Sequence, residues 1–230
     1  MDATTRRQPE DHAQQRLAAF WRALSDGSAN ELRAVLAEEP ALAHACDERG
    51  LSALLKARYA GRFAVVEALL EARGANIDLF ECAALDRSAQ LERHLAAQPV
   101  LVRAWSPDGF GALHLAAFFG SSACVRALLS RGAPVDVEAQ NPMRVRPLHS
   151  AVAGGDEECV RLLLSAGAQL EARQNGGFTA LMGAAAAGRA DLARLLLKHG
   201  ASRVARDDAG KRACDHASLR GHVATAQLLQ

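Results

Sequence analysis

The chain has 230 residues, half of them apolar but only 10 aromatic, and its 27 Lys and Arg nearly balance 26 Asp and Glu. Without a basic excess or a basic face, the composition gives no support to phosphate neutralisation on nucleic acid or on an anionic membrane. The opening MDATTRRQPEDHAQQRL has no apolar h-region, and no window approaches about 18 uninterrupted apolar residues, so neither a secretory signal nor a membrane span is expected.

Aligned on itself, the chain returns one pattern seven times, anchored at Phe20, Leu54, Leu79, Leu113, Leu148, Leu181 and Cys214, with steps of 34, 25, 34, 35, 33 and 33 residues. Three residues after each anchor stands a small side chain: Ala23, Ala57, Cys82, Ala116, Ala151, Ala184 and Ala217. Seven residues after it stands Gly27, Gly61, Asp86, Gly120, Gly155, Gly188 or Gly221. A period near 33 identifies a stacked array whose units lack cores of their own and pack on their neighbours.

Residues 1–10 are polar and are expected to form a flexible N-terminal tail. From Asp11 to Ser25, the spacing of Leu17, Phe20, Trp21 and Leu24 predicts an amphipathic helix. Gly27 breaks it, and a second helix follows over Ala29 to Ala37. Residues 11–46 thus read as an N-terminal capping repeat, 47–206 as internal repeats and 207–230 as a C-terminal capping repeat, making 11–230 one array. In each unit the first helix carries the anchor and the small residue, and a Gly ends it where a left-handed turn costs least. The second helix carries Leu69–Leu70, Leu128–Leu129, Leu163–Leu164 or Leu196–Leu197, which are expected to fill the layer between helices. Gln230, Asp215, His216 and Ser218 give the last unit the polar outer layer of a terminal cap, where the array is expected to stop.

Two irregularities break the period. The step from Leu54 to Leu79 is 25, so EARGANIDLFEC leaves no room for a full turn. The step from Leu113 to Leu148 is 35, with VDVEAQNPMRVRP forming a longer loop. A notch near residues 71–80 follows.

Pro147-Leu148-His149-Ser150-Ala151, Gly177-Phe178-Thr179-Ala180-Leu181 and Gly109-Phe110-Gly111-Ala112-Leu113-His114 resemble the ankyrin repeat, whose signature is G-x-T-P-L-H-x-A followed by a second helix ending L-L-x-x-G-A. The resemblance covers about residues 15–230, with Ser52-Ala53, Gly111-Ala112 and Arg212-Ala213 departing from Thr-Pro. It implies an all-α ankyrin-repeat solenoid of about seven helix-turn-helix units with short β-turn or hairpin fingers. The Ala and Arg usage is similar to that of stand-alone ankyrin proteins of GC-rich bacteria.

No pair of the eight histidines has zinc-ligand spacing. His114 and His149 hold the signature position for which the resemblance implies a structural hydrogen bond to a neighbouring turn. The five cysteines are read as reduced thiols, with Cys82, Cys124 and Cys159 as core residues. Gln174-Asn175-Gly176-Gly177 lacks the Lys-Ser/Thr ending of a phosphate loop.

In such arrays, the resemblance implies, partners meet the turn tips and the exposed positions of the first helices. Those positions place Tyr59, Phe110, Phe118, Phe119 and Phe178 at sites that packing does not require, with Trp105 close by and Met143 and Arg144 on the long loop. Exposed aromatics bury much area for little lost entropy and serve as interface anchors. The competing account has Phe118 or Phe119 packed inward beneath the long loop.

The sequence therefore reads as a non-catalytic cytoplasmic protein–protein interaction module without cofactor or metal, binding an unidentified protein on the concave face and turn tips. It is expected as a monomer, with dimerisation through the aromatic patch left open. The alternative is a small-ligand-binding protein or an enzyme that uses the notch near 71–80; no acid–base pair or metal set completes that pocket.

Overall fold

A computed structural model describes the backbone of residues 3–74 and 76–230, and the side chains from residue 12 onward within those ranges. Seven helix pairs follow one another: α1 Ala3–Asp26 with α2 Ala29–Glu38, α3 Ala53–Tyr59 with α4 Phe63–Arg73, α5 Leu79–Ala84 with α6 Ser88–Ala97, α7 Ala112–Phe118 with α8 Ser122–Ser130, α9 Pro147–Gly154 with α10 Glu157–Ser165, α11 Ala180–Ala186 with α12 Ala190–Lys198, and α13 Ala213–Leu219 with α14 Val223–Leu229. The helix expected from Asp11 lies inside α1, which begins at Ala3. The flexible tail expected over 1–10 falls on residues whose side chains, and for 1 and 2 whose backbone, lie outside the described residues.

The chain divides into two compact units, residues 1–77 and 78–230. In the first, α1 packs on α2 and α3, and α4 on α2 and α3. In the second, α5, α7, α9, α11 and α13 stack as one layer and α6, α8, α10, α12 and α14 as another. The notch expected near 71–80 straddles the division between Ile77 and Asp78 and includes residue 75, outside the described residues.

All seven anchors are at most 5 % exposed, and the small residues three positions on are at most 1 % exposed. The Leu pairs behave differently from expectation. Leu69, Leu128, Leu163 and Leu196 are fully buried, whereas Leu70, Leu129, Leu164 and Leu197 are half-buried. Adjacent helical residues point about 100° apart, so one member of a pair fills the layer and the other borders it.

The expected β-turn or hairpin fingers are absent: the described residues contain no strand, only the isolated bridges Cys46–Ser52 and Trp105–Gly111. The physical reason lies in where the backbone hydrogen bonds go. At 47–51 the Asp47 carboxylate accepts the amides of Arg49 and Leu51, both at 3.0 Å, tightening the turn before a ladder can extend. In the second unit, loops bond to loops: Gln140 N–H to Gly109 O at 2.8 Å, Asn175 N–H to Met143 O at 3.0 Å, Asp208 N–H to Gly176 O at 3.0 Å. Groups engaged with the next unit are not available to pair within a hairpin.

Local capping sets the helix starts. Ser52 Oγ accepts Leu55 N–H at 3.2 Å, and Thr179 Oγ1 accepts Met182 N–H at 3.4 Å. Where the shortened segment leaves no ordinary turn, Asp78 and Glu81 form a reciprocal capping box at 2.8 and 2.9 Å and start α5 directly.

Candidate partner-binding surface

Two buried histidines tie helix starts to loops in the second unit. His114 Nδ1 accepts the Gly111 amide at 3.3 Å, so its proton sits on Nε2, which donates to Val145 O at 3.2 Å. One ring thereby ties the start of α7 to the following loop. Burial pushes His114 down to about 4, so the ring is neutral at pH 7. His149 repeats the arrangement, accepting Arg146 N–H at 3.2 Å and donating to Ala172 O at 3.1 Å, and burial lowers its pKa too. The structural role implied for both histidines is what the geometry shows.

Trp105 and Phe110 flank His114, each with its ring 6.0 Å away, and both are half-buried. Trp105, His114, Arg103 and Pro134 border a cavity of about 190 Å³. Ser106 holds this turn, its hydroxyl donating to Phe110 O at 2.8 Å and accepting Phe110 N–H at 3.2 Å. Phe178 is half-buried against His216 at 4.5 Å, and His216 Nε2 lies 2.8 Å from Asp207 Oδ2.

Phe118 and Phe119 meet edge to face, centroids 5.0 Å apart. Phe118 ends α7 and is 37 % exposed; Phe119 is half-buried. Neither ring is walled off from water.

Met143 is 51 % exposed on the long loop. Arg144 beside it takes φ 52°, and its guanidinium pairs with Glu138 at 2.6 Å, which raises the pKa of Arg144. Arg144 is thus already engaged, and an incoming carboxylate would compete with Glu138.

The structure therefore brings together Trp105 with Phe110, Phe118 with Phe119, and Met143 with Arg144, and sets Phe178 apart on His216. Tyr59, 36 % exposed, belongs to the first unit. Leu219 and Arg220 occupy the same helix positions in the last repeat as Phe118 and Phe119, and both are exposed. The period that places Phe118 and Phe119 also places these two, and neither is aromatic.

Cys82, Cys124 and Cys159 are fully buried, with burial pushing the Cys82 thiol up to about 12 and the other two higher still. They pack as small apolar residues. Among the described residues, no group of three or more His, Cys, Asp or Glu is placed to hold a metal ion. No described helix is long and apolar enough to cross a membrane.

No curated protein matches the chain. A model for ankyrin repeats in three copies matches residues 79–174, and a model for a single ankyrin repeat matches 176–208. Both matched spans run through the stacked pairs α5 to α12, and the pairs on either side carry the same buried anchors and left-handed turns. The chain belongs to the ankyrin-repeat family.

Proposed function

We propose that the protein is a non-catalytic interaction module that binds another protein across the first-helix layer and turn edge of the second unit. Phe118 and Phe119 anchor the contact, with Trp105, Phe110, Met143, Arg144 and Phe178 along the turn edge. The observation that carries this reading is the contrast within α7. Ala112 to Ala117 are all buried, yet the helix ends on a phenylalanine left 37 % exposed beside a second ring. A ring pair held open by a complete core is suited to fill a partner's pocket.

The test replaces both rings with alanine and compares proteins captured from the native cell by wild type and by the double variant. Capture of a wild-type partner is expected to weaken about tenfold or more, with the urea midpoint little changed. A loss of several kcal/mol of stability with capture intact would assign the pair to the core.

A further inference from the structure

In the second unit, the C-terminal ends of α7, α9, α11 and α13 lie in one row. Phe118 ends α7, Gly154 ends α9, Ala186 ends α11, and Leu219 ends α13 with Arg220 next. The middle of the row has almost no side chains. Ala153, Gly183 and Ala187 line a groove of about 340 Å³ beside the polar His149, Gln174 and Thr179, and Arg220 borders it. Gly154 is required in the row, because a Cβ there would lie 1.9 Å from Phe118 O. Phe118, 37 % exposed, stands at one end and Leu219, 66 % exposed, at the other.

The charge is one-sided. Helices α7, α9 and α11 contain no Asp, Glu, Lys or Arg. Asp215 on α13 is engaged by the Arg212 amide at 2.8 Å and guanidinium at 3.5 Å. Arg189, next to the row, is paired with Asp191 at 2.7 Å. Arg220 is exposed, and among the described residues no acidic side chain pairs with it. The one full charge bordering the groove is therefore positive and unneutralised.

The geometry points to a partner segment that lays apolar side chains on the Ala/Gly floor between Phe118 and Leu219 and brings an Asp or Glu carboxylate to Arg220. This inference rests on the proposed interaction role and specifies the chemistry of the partner. An Arg fork binds a carboxylate through two parallel hydrogen bonds, and a basic segment is repelled at the same point. Three helix-to-helix steps of roughly 8–10 Å give a row of roughly 24–30 Å. A helix of about 16–20 residues spans that length.

The test is a selection from a random 16-residue peptide library on the folded wild-type chain. Enriched peptides are expected to combine apolar residues with an excess of Asp and Glu. Their affinity should fall about tenfold or more on Arg220→Glu, and also on Ala187→Arg, which crowds the floor. Changing the peptide's acid to Arg should restore binding to Arg220→Glu. Circular dichroism checks that each variant is folded, as expected for exposed positions. Failure to enrich any peptide, enrichment without an acidic excess, or affinity unaffected by Arg220→Glu each overturns the inference. Peptides that lose affinity on Phe118→Ala/Phe119→Ala but not on Arg220→Glu would leave the interaction face standing and remove the acidic contact. Indifference to both would remove both.

Discussion

Six of the seven repeats end their first helix on a left-handed glycine, and the third uses Asp86 at φ 53°. The neighbouring unit explains how this is tolerated. At Gly155 and Gly188 the residue after the next repeat's glycine leans over this position: a Cβ on Gly155 would meet Arg189 at 2.0 Å, and one on Gly188 would meet His222 at 2.5 Å. Opposite Asp86 the corresponding residue is the small Ser121, and the Asp86 carboxylate instead accepts Cys124 N–H at 3.0 Å. It thus caps α8 from the preceding repeat, as Asp156 caps its own α10 through Cys159 N–H at 2.7 Å. Asp86→Ala keeps the strained turn and loses the cap, and is expected to cost about 1–2 kcal/mol. Asp86→Asn should stay closest to wild type and Asp86→Gly should fall between. Urea midpoints in the order Asn, Gly, Ala check this, and an unchanged alanine variant would show that the cap contributes nothing.

At the scale of the element, the second helices of the repeats are held by single leucines at successive levels. Leu163 on α10 is fully buried, flanked by Cys159 and Val160 with no exposure. Leu163→Ala is expected to cost about 2–5 kcal/mol, the range for a core truncation that leaves a cavity. Leu164→Ala, at a half-buried position, should cost less. Equal midpoint shifts for the two variants would contradict the observed burial. The first helices follow another rule. Their small residues bring the backbones close, as Gly154 does to Phe118, and so leave a shallow floor rather than a filled surface.

Across the molecule, neutral buried histidines join successive units of the second body, and this makes its stability depend on pH. The His114 pKa lies below its ordinary 6.5, at about 4. Above pH 6.5 folded and unfolded chains are both neutral at this ring, and the stability is fully present. As pH falls through 6.5, the unfolded chain takes up a proton that the folded chain refuses, so stability drops until about pH 4. The drop attributable to His114 is about 3 kcal/mol, and His149 acts in the same direction. Urea titrations at pH 7.5 and 4.5 should show a smaller loss for His114→Gln than for wild type. Equal losses would remove the histidine from the acid response.

The sequence by itself determined the repeat, its register, the buried anchors and the small residues beside them. Each follows from a period that returns the same side chain to the same place in the stack, and the two histidine bonds came with the family signature. It also marked the open ends of the first helices, because Phe118 and Phe119 fall where the period asks for no core residue. Tertiary structure alone decided the rest. Loop carbonyls accept amides from the next repeat's loop, which removed the expected hairpins, and one leucine of each pair turns toward the layer's edge. Arg144 is engaged by Glu138, while Arg220 is left without an acid at the end of an uncharged groove. These outcomes depend on which groups from different repeats meet, and side-chain charges and backbone amides are satisfied by neighbours in space rather than in sequence.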